Sequence, residues 1–366
     1  MMKKMKLKDL INIRTGKLDA NASSENGKYP FFTCSKETLK INEYSYDCEC
    51  VLLAGNGDLN VKYYNGKFDA YQRTYILECK NDIISTKYLY YFMKKYLKIL
   101  RNQSIGGVIK YIKLANISEA IIPIYSEEEQ EEIVNNISKV EEVLNIKNKQ
   151  IEELNNLIKS QFVEMFGDIH LNDKKWEKFV KMNEICEINP KKSEISDLRN
   201  IMVSFVPMQS VTEDGKIYTD DKRNINDVKS GFTYFRENDV LFAKITPCME
   251  NGKGAIAVNL ENKIGFGSTE FHVIRPGKYV NPLWIYTLTA TKEFRKQAEM
   301  SMTGSAGQKR VSYKYLENYR IGVPPITLQN EFSEIVKQID KQKFEIEKSL
   351  KETQELYESL MEKYFG

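Results

Sequence analysis

Residues 127–167 contain no proline, and no glycine until the last position, and the same stretch returns 199 residues further on. Ile133, Ile137, Val140, Leu144, Ile151, Leu154, Ile158 and Met165 recur at alternating spacings of four and three. That spacing is the a/d seam of a heptad helix, interrupted here only by Lys147 and Gln161. The copy supplies Phe332, Val336, Ile339, Ile346, Leu350, Tyr357, Leu360 and Tyr364, with Lys343 and Thr353 as its polar interruptions. The ends match as well: Gln130 answers Gln329, and Phe166-Gly167 answers Phe365-Gly366. About 38 residues at 1.5 Å each predict rods of roughly 57 Å, too long for ordinary core helices. An internal repeat of this size sets the architecture before any motif is weighed.

The repeat predicts an α+β chain with a pseudo-two-fold plan. Two mixed α/β globular domains, 1–125 and 168–326, alternate with long helices at 126–167 and 327–366, and residues 168–175 form a polar linker. Seam positions 133 and 364 face each other if the helices pair as an intramolecular antiparallel coiled coil. Ile151 then meets Ile346, Ile158 meets Ile339, Ile137 meets Leu360, and Lys147 meets Leu350.

Charge follows the same division. Residues 127–167 carry ten Glu and four Lys, and residues 329–366 carry nine acids and six Lys. The whole chain is +3, so the parts outside the helices hold +12. Basic domains on acidic struts predict an anionic partner for the domains and a protein partner for the struts. The basic start MMKKMKLKDL has no apolar core behind it, and no run approaches membrane-spanning length, which predicts a cytoplasmic protein without a membrane partner. Six scattered cysteines and two histidines, His170 and His272, include no CxxC pair; reduced thiols and no metal site are expected.

Within the first domain, short apolar runs at 29–34, 51–54, 62–64 and 75–77 read as strands. Gly55-Asn56-Gly57 and Asn65-Gly66 read as hairpin turns between them. A helix follows from 86 to about 100, aromatic on one side and basic on the other (Lys94, Lys95, Lys98). Next come a glycine loop at 102–107 and the closing strand 120–124. The second domain repeats the order, with 238–243 answering 49–54, 268–274 answering 73–77, and Pro282 opening the helix. Its glycine loop is Thr303-Gly304-Ser305-Ala306-Gly307-Gln308-Lys309-Arg310. Gly265-Phe266-Gly267 reads as a further turn.

Val323-Pro324-Pro325-Ile326 followed by Gln329 and a long helix, its weaker copy Ile122-Pro123-Ile124 followed by Gln130, and the tandem layout of the whole chain resemble the DNA-specificity subunits of type I restriction–modification systems. The resemblance implies a non-catalytic reader in which each target-recognition domain contacts one half of a split, asymmetric double-stranded DNA site. It implies paired helices that space the halves and carry methyltransferase subunits, two of them, with translocase–nuclease subunits joining in restriction complexes. S-adenosylmethionine and ATP then belong to those partners, and no cofactor is expected of this chain.

The residues agree without the family. No Asn/Asp-Pro-Pro-Tyr/Phe methyltransferase motif is present, Ile188-Asn189-Pro190 running instead into Lys191-Lys192, and no Gly-Lys-Ser/Thr closes the second glycine loop as a phosphate-binding loop would require. DNA reading needs cations for phosphates and bidentate side chains for base edges. Gln308, Lys309, Arg310 and Lys314 offer these in the second domain. Asn102, Gln103, Lys110 and Lys113 are the expected equivalents in the first, with Arg101, Gln72, Arg73, Arg223 and Lys244 behind them. Two other classes stay open: a modification–restriction enzyme trimmed to its reader, and a stand-alone scaffold whose domains bind something other than DNA. A neighbouring methyltransferase gene argues against the enzyme; salt-sensitive retention on DNA argues against the scaffold.

Overall fold

Both the heptad stretches and the apolar runs become regular elements in a computed structural model that describes residues 3–305 and 307–366. The chain divides into two compact units, Met1–Lys149 with Ile346–Gly366, and Gln150–Glu345. Each combines one globular fold with part of each long helix.

The first unit runs β1 (Lys3–Lys6), α1 (Leu7–Leu10), β2 (Ile11–Thr15), β3 (Tyr29–Phe32), β4 (Leu39–Ile41), β5 (Tyr46–Ala54), β6 (Val61–Ala70), β7 (Thr74–Cys79), α2 (Thr86–Gln103), α3 (Leu114–Ser118), β8 (Ile121–Ile124) and the start of α4 (Glu127–Phe166). Six strands form one sheet in the order β2-β7-β5-β6-β3-β4, with β3 parallel to β6 and the other neighbours antiparallel. Successive side chains of a strand leave on opposite faces. Val51 and Leu53 therefore pack under α2 with Tyr88, Leu89 and Phe92, while Cys50 and Leu52 join Phe32, Phe68 and Ile76 on the other face. Burial on both faces explains why 50–54 reads as an unbroken apolar run.

Asn65-Gly66 is not a turn. It lies inside β6, where Gly66 pairs with Cys48 and Asn65 with Glu49, and the chain reverses at 55–60 instead. Gly66 takes φ +130°, a conformation glycine reaches at little cost, and the pairing runs through the dipeptide without a break.

The second unit contains β9 (Lys178–Lys181), β10 (Cys186–Ile188), β11 (Met202–Val206), β12 (Lys222–Asn224), α5 (Ile225–Val228), β13 (Thr233–Arg236), β14 (Val240–Ala243), β15 (Gly254–Ile256), β16 (Ile264–Gly267), β17 (Phe271–Pro276), α6 (Pro282–Ala290), α7 (Lys292–Met300), α8 (Tyr313–Asn318), β18 (Arg320–Val323) and most of the first half of α9 (Ile326–Phe365). Its two four-stranded sheets are β10-β17-β14-β15 and β12-β11-β16-β13, and β9 and β18 pair antiparallel as a third. This is the first unit's topology with the long hairpin cut in two: β13 and β14 answer β5, and β15 and β16 answer β6. Asn238 at φ +70° makes one cut, and Asn259 and Asn262 at φ +57° and +51° make the other. Arg275 clamps the break, its Nε and Nη2 each 2.9 Å from an oxygen of buried Asp239. Gly265-Phe266-Gly267 also proves to be strand, within β16. A Cβ on Gly265 would lie 2.1 Å from the Phe235 ring, so close packing explains that glycine.

Residues 168–175 are docked rather than a loose tether. Ile169 is buried and accepts from the Gly322 amide (2.8 Å), and His170 stacks on Tyr319 with ring centroids 4.8 Å apart. In the first unit, residues 127–149 run antiparallel to 346–365: the Tyr125 hydroxyl donates to Tyr364 O (3.3 Å) and Lys147 Nζ to Ser349 Oγ (2.6 Å). Ile133, Ile137 and Leu144 are buried there, and Val140, Ile346, Leu350, Tyr357 and Leu360 are half-buried. In the second unit Val336 and Ile339 are buried, and Ile151, Leu154 and Ile158 half-buried.

Towards the C-terminal end of each helix the buried stripe moves to Phe162 and Phe166 in α4 and to Met361 and Phe365 in α9, leaving Met165 and Tyr364 half-buried. A straight helix drifts about 20° per heptad from a 3.5-residue repeat, and the drift turns these side chains onto the globular folds. Phe166 meets Trp284 and Phe332, and Phe365 meets Tyr88 and Phe92.

Two glutamines fasten the rods. Gln130 Oε1 accepts from the Ser85 amide (3.0 Å) while its Nε2 donates to Ile83 O and Tyr125 O. Gln329 does the same with the Asn281 amide (2.9 Å), Tyr279 O and Pro324 O. Ser85 and Asn281 are the N-caps of α2 and α6, so one buried side chain ties each rod to the start of its neighbouring helix.

Candidate nucleic-acid interface

Each glycine loop is held by the backbone of the hairpin beside it, and the holding bonds are equivalent in the two units. In the first, Ile105 and Tyr111 exchange both backbone hydrogen bonds (3.0 and 2.8 Å), Gly57 N donates to Lys110 O, Ile112 N to Gly55 O, and Gly55 N to Arg73 O. In the second, Thr303 and Arg310 exchange both bonds (3.1 and 2.9 Å), Thr246 N donates to Lys309 O, Val311 N to Lys244 O, and Lys244 N to Glu270 O. Gly106 and Gly304 both sit at φ near +120° directly after the first bridged residue, where an L side chain would be strained. The result is one frame with two sets of side chains.

The frame pairs Lys110 with Lys309, Tyr111 with Arg310, Arg73 with Glu270, and Gly55 with Lys244. This corrects the equivalences expected from the sequence. Asn102 and Gln103 belong to the last turn of α2, which runs beyond residue 100, and Gln103 Oε1 accepts from Asn116 Nδ2 (3.1 Å). Lys113 stands just before α3, its amide donating to Asn116 Oδ1 (2.7 Å). Arg101 is spent locally, donating to Leu59 O (2.9 Å) and lying 3.7 Å from Asp58. Arg310 is likewise engaged. Its Nε and Nη2 grip Glu270 at 3.0 and 2.9 Å, and Nη1 donates to Gln308 O (3.0 Å). Hydrogen bonds from Arg310 hold the Glu270 carboxyl below its ordinary pKa.

The groups left exposed at the frame are Lys110, Lys113, Arg73 and Gln72 in the first unit, and Gln308, Lys309 and Lys314 in the second. Arg223 is not brought to the frame; it lies on β12, paired with Asp221 and stacked over Phe205. The basic face of α2 is not free either. Lys94 and Lys95 pair with Glu141 and Glu362 of the long helices, and burial is outweighed at Lys94 by Glu141, Tyr90 and Tyr357, which raise its pKa. Part of the domain's positive charge is thus matched by the acidic rod within its own unit.

Behind the second frame lies a cavity of about 350 Å³ lined by Asn189, Lys192, Tyr234, Lys244, His272 and Tyr313 among others. His272 Nε2 donates to Val311 O (2.8 Å), and Nδ1 accepts from Asn189 Nδ2 (3.2 Å). Burial pushes its pKa down to about 4, so it stays neutral, and burial also lowers Lys244. Arg295, which the sequence did not single out, donates to Met249 O and Gly252 O and so stiffens the hairpin loop that carries the frame. Among the described residues no three His, Cys, Asp or Glu side chains gather as a metal site, and no helix is long and apolar enough to cross a membrane.

Comparison with known proteins fits this geometry. A family model described as the type I restriction modification DNA specificity domain matches residues 1–156 and 173–356. The EcoDI specificity subunit of Escherichia coli is 42% identical over 128 residues, covering 35% of this chain and 28% of that protein. The EcoAI specificity subunit, also from Escherichia coli, is 38% identical over 193 residues, covering 51% and 32%. The matched stretches therefore span about a third or less of these relatives. A solved S subunit from M. genitalium superposes with a TM-score of 0.58 at 16% identity, covering 100% of this chain and 96% of that one, which supports the fold.

Proposed function

The chain belongs to the type I restriction–modification DNA specificity family, and from that premise we propose that it is the DNA-reading, non-catalytic subunit of such a complex. Its two recognition folds, 1–125 and 168–326, each read one half of a bipartite, asymmetric site in double-stranded DNA. The long helices, 126–167 and 327–366, act as spacer and as the platform for two methyltransferase subunits, with restriction subunits joining where the system cleaves. Catalysis and its cofactors lie in those partners, in the cytoplasm.

One observation carries the reading: the same hydrogen-bonded loop frame occurs in both folds with different side chains on it. A shared frame with divergent tips is what two readers of different sequences require. Lys110, Lys113 and Arg73 in the first fold, and Lys309, Lys314 and Lys244 in the second, supply phosphate contacts, while Gln308 faces base edges and Arg310, gripping Glu270, locks the loop that presents it; Arg101 and Gln103 support the first loop. The test is duplex binding by the chain assembled with its methyltransferase subunits, followed by fluorescence anisotropy across a salt series. The expected result is tight binding to one bipartite sequence and a linear fall of log K with log salt. Equal binding to all sequences would remove the reading.

A further inference from the structure

The two loop tips differ in kind. In the first fold the residues between the bridged positions are Gly106-Gly107-Val108-Ile109-Lys110, and Val108 is 104% and Ile109 63% exposed. Ile105 and Tyr111, which close the loop, are 42% and 37% exposed. Four large apolar side chains are thus exposed along one seven-residue loop of a frame that also exposes Lys110, Lys113 and Arg73. In the second fold the same segment reads Gly304-Ser305-Ala306-Gly307-Gln308-Lys309, with no large apolar residue.

An apolar tip ringed by cations suits a ligand that is anionic at its rim and apolar at its centre. Duplex DNA offers that combination in the major groove, where phosphates flank the 5-methyl groups of thymine. We propose that Val108 and Ile109 are specificity-determining residues that read thymine methyl groups in the half-site of the first fold. This rests on the DNA-reading function proposed above. The frame favours it: the ends of the loop are held by the paired backbone of Ile105 and Tyr111 and by Gly57, so less backbone has to be ordered when the tip binds. The second fold, with Gly307 and Gln308 at the equivalent places and Lys309 answering Lys110, reads by polar groups. The two halves of the site therefore differ in how they are recognised as well as in sequence.

The experiment uses the full chain assembled with its methyltransferase subunits and duplexes of the site identified by methylome sequencing. Thymines of the first half-site are replaced by deoxyuridine, which removes only the methyl group. Affinity should fall about fourfold for each methyl contacted, and V108S/I109S should bind thymine and uracil duplexes alike. The same replacement in the second half-site should have no effect through these residues. Undiminished binding to the uracil duplex, or a first half-site made of G·C pairs alone, overturns the proposal while leaving specific DNA binding intact. Equal losses by V108S/I109S on both duplexes, or loss of methyltransferase assembly, overturn it too, because the tip would then be a protein contact. Absence of any specific binding would reject the DNA-reading function itself.

Discussion

Gln329→Met replaces a side chain of similar length and volume but leaves three backbone partners without a hydrogen bond, one of them, Pro324 O, on a buried residue. The Asn281 amide loses its acceptor, and Tyr279 O and Pro324 O lose their donor, at 2.9, 3.1 and 2.9 Å. At about 1–2 kcal/mol for the buried Pro324 carbonyl and a few tenths each for the two part-buried groups that water can reach, the variant should lose ~2 kcal/mol, with little added for a cavity. Urea unfolding followed by tryptophan fluorescence is the suitable assay. Both tryptophans, Trp176 and Trp284, lie in the second unit, so the signal reports that unit alone. The midpoint should drop by about 1 M or more. Gln130→Met removes the same three-bond pattern from the first unit, and should leave the tryptophan transition in place while lowering the midpoint of the part of the circular-dichroism change that the tryptophans do not report. A Gln329→Met loss below ~1 kcal/mol, or equal effects of both variants on tryptophan fluorescence, would refute the clamp.

Three further outcomes are expected. Ile137→Asp buries an unpaired carboxylate where the native side chain is fully buried, and should destabilise the first unit by several kcal/mol, measured by thermal melting; Ile151→Asp, at a half-buried seam position, should cost less. His272 has a folded pKa of about 4 against an ordinary value near 6.5, so the unfolded chain takes up its proton first. Its stabilisation is complete above pH ~6.5 and falls as the pH drops towards 4, by about 2 kcal/mol at pH 5, and His272→Gln should flatten that slope in urea titrations. Arg310→Ala and Glu270→Gln should weaken binding of the second half-site equally and without additivity, because the pair locks the loop. Loss with Arg310→Ala alone, by roughly 1–3 kcal/mol, would instead show Arg310 reading a guanine edge.

What could be read from the sequence was what depends on near neighbours. The heptad seam of α4 and α9, the run at 50–54 and the glutamines at 130 and 329 all signal through local spacing. Features decided by distant partners were hidden. Asn65-Gly66 carries a turn signature, but β5 supplies a pairing partner along its whole length, and tertiary pairing overrides local preference. At Phe162 and Phe166 the drifting stripe leaves the expected seam, and the side chain that receives it, Trp284, lies more than a hundred residues away in sequence. The loop frame depends on Lys244 meeting Val311, and Arg310 meeting Glu270, pairs that no spacing rule brings together. Lys94 and Lys95 show the same limit: spacing marks a basic helix face, and only the fold shows that Glu141 and Glu362 pair with it.

Each fold is proposed to read one half of a bipartite site through its own loop. Methylome sequencing tests it most directly, in cells carrying the chain with its methyltransferase partner, either native or with Gln308→Ala and Lys309→Ala together. The native chain should yield a two-part motif, and the variant should relax one half while the other half stays unchanged. A continuous motif, or relaxation of both halves at once, would contradict the account.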